Sequence, residues 1–166
     1  MNGQGRASGS DSYGSVILGK EPDGRKPGAK KHERSKRPIT VGFVGNPNCG
    51  KTTLFNAFTG AKLKVANWPG VTVERVEGET SYKGRPIKVI DLPGIYSLTS
   101  YTIEEKVTRK CIEDGEVDVI INVVDASSLE RNLYLTMQLI ELKKPVILAL
   151  NMMDIVEERG MGMAMH

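Results

Sequence analysis

The sequence predicts a three-layer α/β domain with a mainly parallel sheet covered by helices on both faces. Two observations carry this. Short continuous apolar runs, such as Val117–Val124 and Pro145–Leu150, alternate with helical periodicity. Strands buried on both faces read as unbroken apolar runs, whereas half-exposed strands alternate. A third observation places the functional end: the first apolar run opens into a glycine-bearing loop that leads straight into a helix.

In chain order, Ile39–Val44 is the first predicted strand and Lys51–Thr59 the first helix, with Leu54, Phe55 and Phe58 on one face. Gly60 closes that helix. Lys62–Thr72 reads as a loop. Val71–Tyr82 and Pro86–Ile90 form a hairpin about Lys83-Gly84-Arg85, and Asp91–Tyr101 is a further loop. Ile103–Glu113 is helical, and Val117–Val124 is a buried strand. Leu129–Leu142 is an amphipathic helix with Leu129, Leu133, Met137 and Ile140 on its apolar stripe. Pro145–Leu150 is the fifth strand.

Residues 1–38 differ in kind. They hold nine Lys/Arg against four Asp/Glu, a balance of +5, while the rest of the chain stands at −2. Rich in Gly, Ser, Lys and Arg, they carry too little apolar surface to offset ordering entropy and are expected to be disordered. The domain is expected over 39–156, and 157–166, with its Gly-Met alternation, as a frayed end. No apolar run reaches the length of a membrane-spanning helix. Two cysteines among 166 residues exclude a disulfide framework and fit a reducing cytoplasm.

The strongest motif is Gly45-Asn46-Pro47-Asn48-Cys49-Gly50-Lys51-Thr52, which fits G-x-x-x-x-G-K-[ST] between a strand and a helix. Such a P-loop wraps a polyphosphate with backbone N–H groups at a helix N-terminus. Lys51 bridges phosphates, Thr52 ligates Mg²⁺, and Thr53 continues the phosphate-binding segment. Asp91-Leu92-Pro93-Gly94 follows a strand. There Asp91 sits by the Mg²⁺ shell, and Gly94 lets its N–H approach the γ-phosphate. Thr72 is placed to close over Mg²⁺ and γ-phosphate, although spacing alone does not separate it from Thr53, Thr59 or Thr80.

Asn151-Met152-Met153-Asp154 directly follows the last strand. Asp154 can accept two parallel hydrogen bonds from guanine, whereas adenine would leave it unpaired. The usual form of this motif has lysine at the second position, and here it is Met152. The reading is therefore a GTP/GDP site.

With these motifs, the chain resembles the cytoplasmic G domain of the bacterial ferrous-iron transport protein B (FeoB) family over about 39–156. The matching segments are Gly45–Asn56, Asn-Trp-Pro-Gly-Val-Thr-Val-Glu (67–74), Asp91–Leu98, Val123–Leu133 and Asn151–Asp154. The resemblance implies a small-G-protein-like P-loop NTPase that hydrolyses GTP slowly with Mg²⁺. It also implies Thr72 as the switch threonine, Asn46 as a ligand of an activating K⁺ with carbonyls near Ala66 and Trp68, and Ile95 where other GTPases carry a water-orienting glutamine. Catalytic roles fall on Lys51, Asn46, Thr72 and Gly94. A membrane transporter remainder is implied as partner, with the chain on the cytoplasmic side and iron uptake as the process. The family's helical and membrane domains and the last helix–strand–helix of its G domain have no counterpart here. Five of six strands are implied, with Val146–Leu150 at an open apolar edge.

Two alternatives stay open: a nucleotide-binding remnant without useful turnover, and an RNA-associated GTPase. Lys30, Lys31, Arg34, Lys36 and Arg37 lack interleaved aromatics, which disfavours nucleic acid. His32 and His166 have no ligand partners at zinc spacing. Cys49 sits at a helix N-terminus, where a thiol pKa can fall, but small residues of any kind fit there and no redox role is expected.

Overall fold

A computed structural model of the chain describes residues 37–60, 62–158 and 160. Its elements run β1 (Ile39–Gly45), α1 (Lys51–Thr59), β2 (Leu63–Asn67), β3 (Glu74–Tyr82), β4 (Arg85–Asp91), α2 (Ile103–Glu113), β5 (Val119–Asp125), α3 (Leu129–Glu141), β6 (Val146–Asn151) and α4 (Met153–Glu158). They build one six-stranded sheet in the order β2-β3-β4-β1-β5-β6. β4, β1, β5 and β6 are parallel, and β2, β3 and β4 pair antiparallel.

Alternation along the central strands divides two cores. Val41 and Phe43 of β1, Val89 of β4 and Val123 of β5 pack beneath α1's Phe55. Val44, Ile90 and Ile120 face the other way, onto Cys111 and Ile112 of α2 and Leu135 and Leu139 of α3. Each fully buried aliphatic or aromatic side chain here contributes about 1.5–3 kcal/mol. The β3–β4 hairpin turns on Lys83 and Gly84, both at positive φ (49° and 75°), which matches the right-handed strand twist.

Three expectations need correction. The segment Lys62–Thr72 is not all loop, because Leu63–Asn67 forms β2 against β3, from Leu63↔Gly78 to Asn67↔Glu74. Every residue of this edge strand is exposed, and its only apolar alternation is the single repeat Leu63-Lys64-Val65. The sheet therefore has six strands here, with β6 at its edge as expected. On α3 the stripe through Met137 and Ile140 is not the buried one: these side chains are 63% and 55% exposed. The helix buries Asn132, Leu135, Thr136 and Leu139 instead. Two polar members satisfy each other's surroundings: Thr136 donates to Asn122 Oδ1 at 2.5 Å, and Asn122 donates to the Val44 carbonyl at 3.2 Å. On α1, only Phe55 of the expected apolar face is buried; Leu54 and Phe58 are exposed, although the Phe58 ring touches Phe43.

The carboxyl ends of β1, β4, β5 and β6 align along one edge, with Phe43 beside Asp91, Gly45 beside Val123, and Asp125 beside Asn151. In parallel α/β sheets this edge carries the ligand site. The basic tail (up to residue 36), His32, His166 and the end from 161 onward lie outside the described residues, and α4 runs to Glu158. Among the described residues no helix is long and apolar enough to cross a membrane.

Candidate functional site

The loop after β1 is shaped by what will not fit. A β-carbon on Gly45 would lie 2.7 Å from both Cys49 Sγ and the Val123 carbonyl. Asn48 and Gly50 both turn through positive φ (63° and 83°), a conformation glycine adopts without cost. A β-carbon on Gly50 would meet Asn151 Nδ2 at 2.1 Å. That same Nδ2 donates to the Cys49 carbonyl at 3.0 Å, so the end of β6 braces the loop. α1 then begins with no side-chain cap and no acidic residue in its first turn. Its leading N–H groups are left for an anion.

Asn46, Pro47, Asn48, Gly50, Lys51, Thr52, Thr53 and Gly94 line a cavity of about 420 Å³. Lys51 is buried and its Nζ is paired with Asp91 Oδ1, while Thr52 Oγ1 donates to Asp91 Oδ2 at 3.4 Å. The P-loop cation and the carboxylate read as metal-facing thus meet at the end of β4. Gly94 packs so closely that a β-carbon there would lie 3.2 Å from Pro47 Cα. The neighbouring Ile95 N–H donates to the Gly45 carbonyl at 3.1 Å. Leu92 and Ile95 point into the core, so their contribution to the site is backbone.

Asn46 is 4% exposed, and neither its Oδ1 nor its Nδ2 has a hydrogen-bond partner among the described residues. An orphaned amide beside an anion-shaped cavity is costly unless a ligand completes it. Its Oδ1 fits a cation and its Nδ2 a phosphate oxygen. Likewise Thr52 and Asp91 supply the hard oxygen donors that Mg²⁺ takes.

Other expected members stand apart. Thr72 is exposed and does not line the cavity, and neither do Ala66 and Trp68. Trp68's carbonyl accepts the Val71 N–H at 3.2 Å. Asn151 and Met152 lie against Gly50, whereas Asp154 is exposed in the first turn of α4. The fall in pKa that a helix N-terminus can give does not occur at Cys49. Burial pushes its thiol up, outweighing the Lys51 amide and ammonium that act the other way. Cys111 is pushed further, to about 12, by burial and then by the Glu116 charge.

Some organising residues were not foreseen. Glu105 is buried and accepts from Ser97 Oγ, Thr99 Oγ1 and Tyr101 N–H at 3.3, 3.0 and 3.0 Å. Thr102 caps α2 by accepting the Glu105 N–H at 3.1 Å. Gln138 accepts the Leu98 N–H at 2.7 Å, and Arg109 donates to the Leu98 carbonyl at 2.9 Å. The loop after Gly94 is thereby tied to both α2 and α3. The spacing Thr102-x-x-Glu105 was the available signal, being that of a capping box.

A strand–glycine loop–helix at the carboxyl edge of a parallel sheet, with a lysine and a threonine opening the helix, defines a P-loop NTPase domain, and this chain is one. Comparison with known proteins narrows the class. The family model described as Ferrous iron transport protein B matches residues 39–166. The chain is 53% identical over 128 residues to the Fe(2+) transporter FeoB of Shigella flexneri, covering 75% of this chain and 17% of that protein. Among solved structures, the cytosolic domain of L. pneumophila FeoB is 56% identical, with TM-score 0.70 over 74% of this chain and 49% of that one. The G domain of the T. maritima FeoB iron transporter is 48% identical, with TM-score 0.70 over 74% and 77%. An S. thermophilus NFeoB mutant bound to mGDP is 51% identical, with TM-score 0.71 over 75% and 47%. The chain belongs to the ferrous iron transport protein B family, and it spans about one sixth of the length of the curated relatives it matches.

Proposed function

We propose that this chain binds GTP and GDP with Mg²⁺ and hydrolyses GTP slowly, as the cytoplasmic nucleotide switch of a ferrous-iron uptake transporter. One observation carries the reading: a cavity at the uncapped start of α1 in which Lys51, Thr52 and the orphaned Asn46 converge. The S. thermophilus relatives bound to GDP or mGDP support the choice of nucleotide.

In this reading the loop amides of 45–52 and Lys51 grip the β- and γ-phosphates, and the Gly94 N–H reaches the γ-phosphate. Thr52 and Asp91 hold Mg²⁺, with Thr72 joining after its loop moves, and Asn46 Oδ1 holds K⁺. These cations supply positive charge against the phosphate oxygens as the terminal bond breaks. Lys51 leaves Asp91 for the phosphates, which frees the carboxylate to face the metal. Asp154 pairs the guanine edge, beside Asn151 and Met152. A membrane-embedded remainder of the transporter is the partner, which puts this chain at the inner face of the membrane.

Calorimetry with GDP, GTP and ATP in Mg²⁺ tests the nucleotide reading. Guanine nucleotides bind and ATP does not; equal affinity for all three overturns it. Hydrolysis is faster in K⁺ than in Na⁺, and Asn46→Ala removes the difference; equal parental rates in both salts reject the K⁺ role. A second reading, binding without useful turnover, draws on Thr72 lying outside the cavity and Ile95 being buried. Single-turnover assays with Mg²⁺ separate the two.

A further inference from the structure

Trp68, the sole tryptophan of the chain, is buried among Leu92, Cys111 and Ile112 in the core between sheet and α2. It opens a tight turn. Its N–H donates to the Val73 carbonyl at 2.9 Å, its carbonyl accepts from Val71 at 3.2 Å, and Gly70 takes φ 76°. Val71 and Val73 pack against the same core, while Thr72 between them faces solvent. With the turn in this seat, Thr72 is not among the residues lining the phosphate cavity.

Arg75 is built to hold it there. Its guanidinium lies 4.4 Å over the Trp68 ring. The fork is fixed from both sides: Nε to Glu77 at 2.5 Å on the same strand, and Nη2 to Glu116 at 2.8 Å in the α2–β5 connection. A planar, doubly anchored cation over an indole is a favourable and orientation-dependent contact. Acting against it, the Trp68 Nε1–H is buried without an acceptor among the described residues. Undocking would return that hydrogen bond to water, so the seat is held by packing and the stack against one unmade bond.

We propose that Arg75 is a positioning residue of the nucleotide switch: by stacking on Trp68 it holds the 68–73 turn in the seat that keeps Thr72 out of the cavity. The inference rests on the reading of Thr72 as the switch threonine. The stack and an outward Thr72 occur together in this structure, so on this proposal the stack opposes a ligand that needs Thr72 in. A ligand shifts such a balance only by its differential affinity. Arg75 therefore lowers affinity for the triphosphate relative to the diphosphate.

The test uses the full chain, calorimetry with GDP and with guanylyl imidodiphosphate in Mg²⁺, and Trp68 emission. For Arg75→Ala the triphosphate-analogue to GDP affinity ratio rises roughly three- to tenfold, and emission shifts to the red as the indole meets water. Arg75→Lys keeps the charge but not the fork, and falls between. Glu116→Gln loosens the anchor from the solvent side and moves the ratio the same way by less, which keeps the inference testable should Arg75→Ala fail to fold. A ratio that stays fixed or falls in these variants overturns the proposal, even where melting temperature drops, because Arg75 is then only a stabilising contact. Failure of the parent chain to bind either nucleotide brings down the nucleotide reading and this inference with it, whereas binding with an unmoved ratio brings down the inference alone.

Discussion

The two ends of the nucleotide site are built differently. At the phosphate end the backbone is closely hemmed in: a β-carbon would collide with a neighbour at Gly45 and Gly50 and be tight at Gly94, and Asn151 bonds the loop across the sheet. At the discriminating end, Thr72 and Asp154 are exposed and outside the cavity lining. In the proposed function, folding alone assembles the grip on phosphate, whereas the residues proposed to sense the γ-phosphate and the base stay outside the cavity until a ligand arrives. A switch needs this division, since a sensor already locked in place has no second state to adopt.

The largest expected effect falls on the preassembled end. Lys51→Ala removes the buried ammonium and leaves Asp91 uncompensated. Affinity for Mg²⁺·GTP by calorimetry should fall at least about a hundredfold, since charge-assisted bonds to phosphate are the strong ones. A drop of less than about threefold would show that the loop does not grip phosphate as described.

Next comes the waiting end. Asp154→Ala should leave urea stability within about 0.5 kcal/mol, because the side chain is exposed. Its preference for GTP over ATP should shrink by about a factor of ten to a hundred in competition binding. If selectivity survives, the base is read elsewhere.

Smaller still is the effect at Glu105, which ties the loop after Gly94 to α2. Glu105→Gln should cost about 1–2 kcal/mol in urea unfolding near neutral pH. Burial alone would raise this carboxyl, but the bonds from Tyr101, Thr99, Ser97 and Thr102 win, and it is held below its ordinary value. Its contribution is therefore full above the ordinary carboxylate range and lost as pH falls through the lowered folded-state value. The gap between parent and variant should close on acidification; a gap that widens in acid contradicts the assignment.

The smallest effects fall on the exposed face of α3, set against its buried face. Ile140→Ser and Met137→Ser should each change stability by less than about 0.5 kcal/mol, whereas Leu139→Ala should cost about 2–5 kcal/mol. Equal costs would mean that the exposed stripe is covered in solution.

That helix also shows where sequence reading reaches its limit. α3 has apolar residues on both sides, and the face that faces the sheet includes Asn132 and Thr136. Periodicity counts hydrophobicity, and it discounts polar side chains whose partners are distant in sequence, as Asn122 is from Thr136. β2 was missed for another reason: its apolar alternation is a single repeat, Leu63-Lys64-Val65, and this exposed edge strand is held by backbone bonds to β3. The other strands, α1, α2 and the phosphate loop were legible because polyphosphate binding and two-sided burial each demand fixed residue types at fixed spacing. What the sequence left out was which members are in place before a ligand arrives: nothing in the spacing of Thr72 or Asp154 says that they stand outside the cavity.

The amide of Asn151 wedged beneath Gly50 has one more outcome. The strand end that leads toward Asp154 is pinned to the phosphate loop by that contact. In the proposed function, the base-reading segment therefore hangs from a fixed point on the phosphate loop, and only the exposed Asp154 beyond it has to move to meet a base.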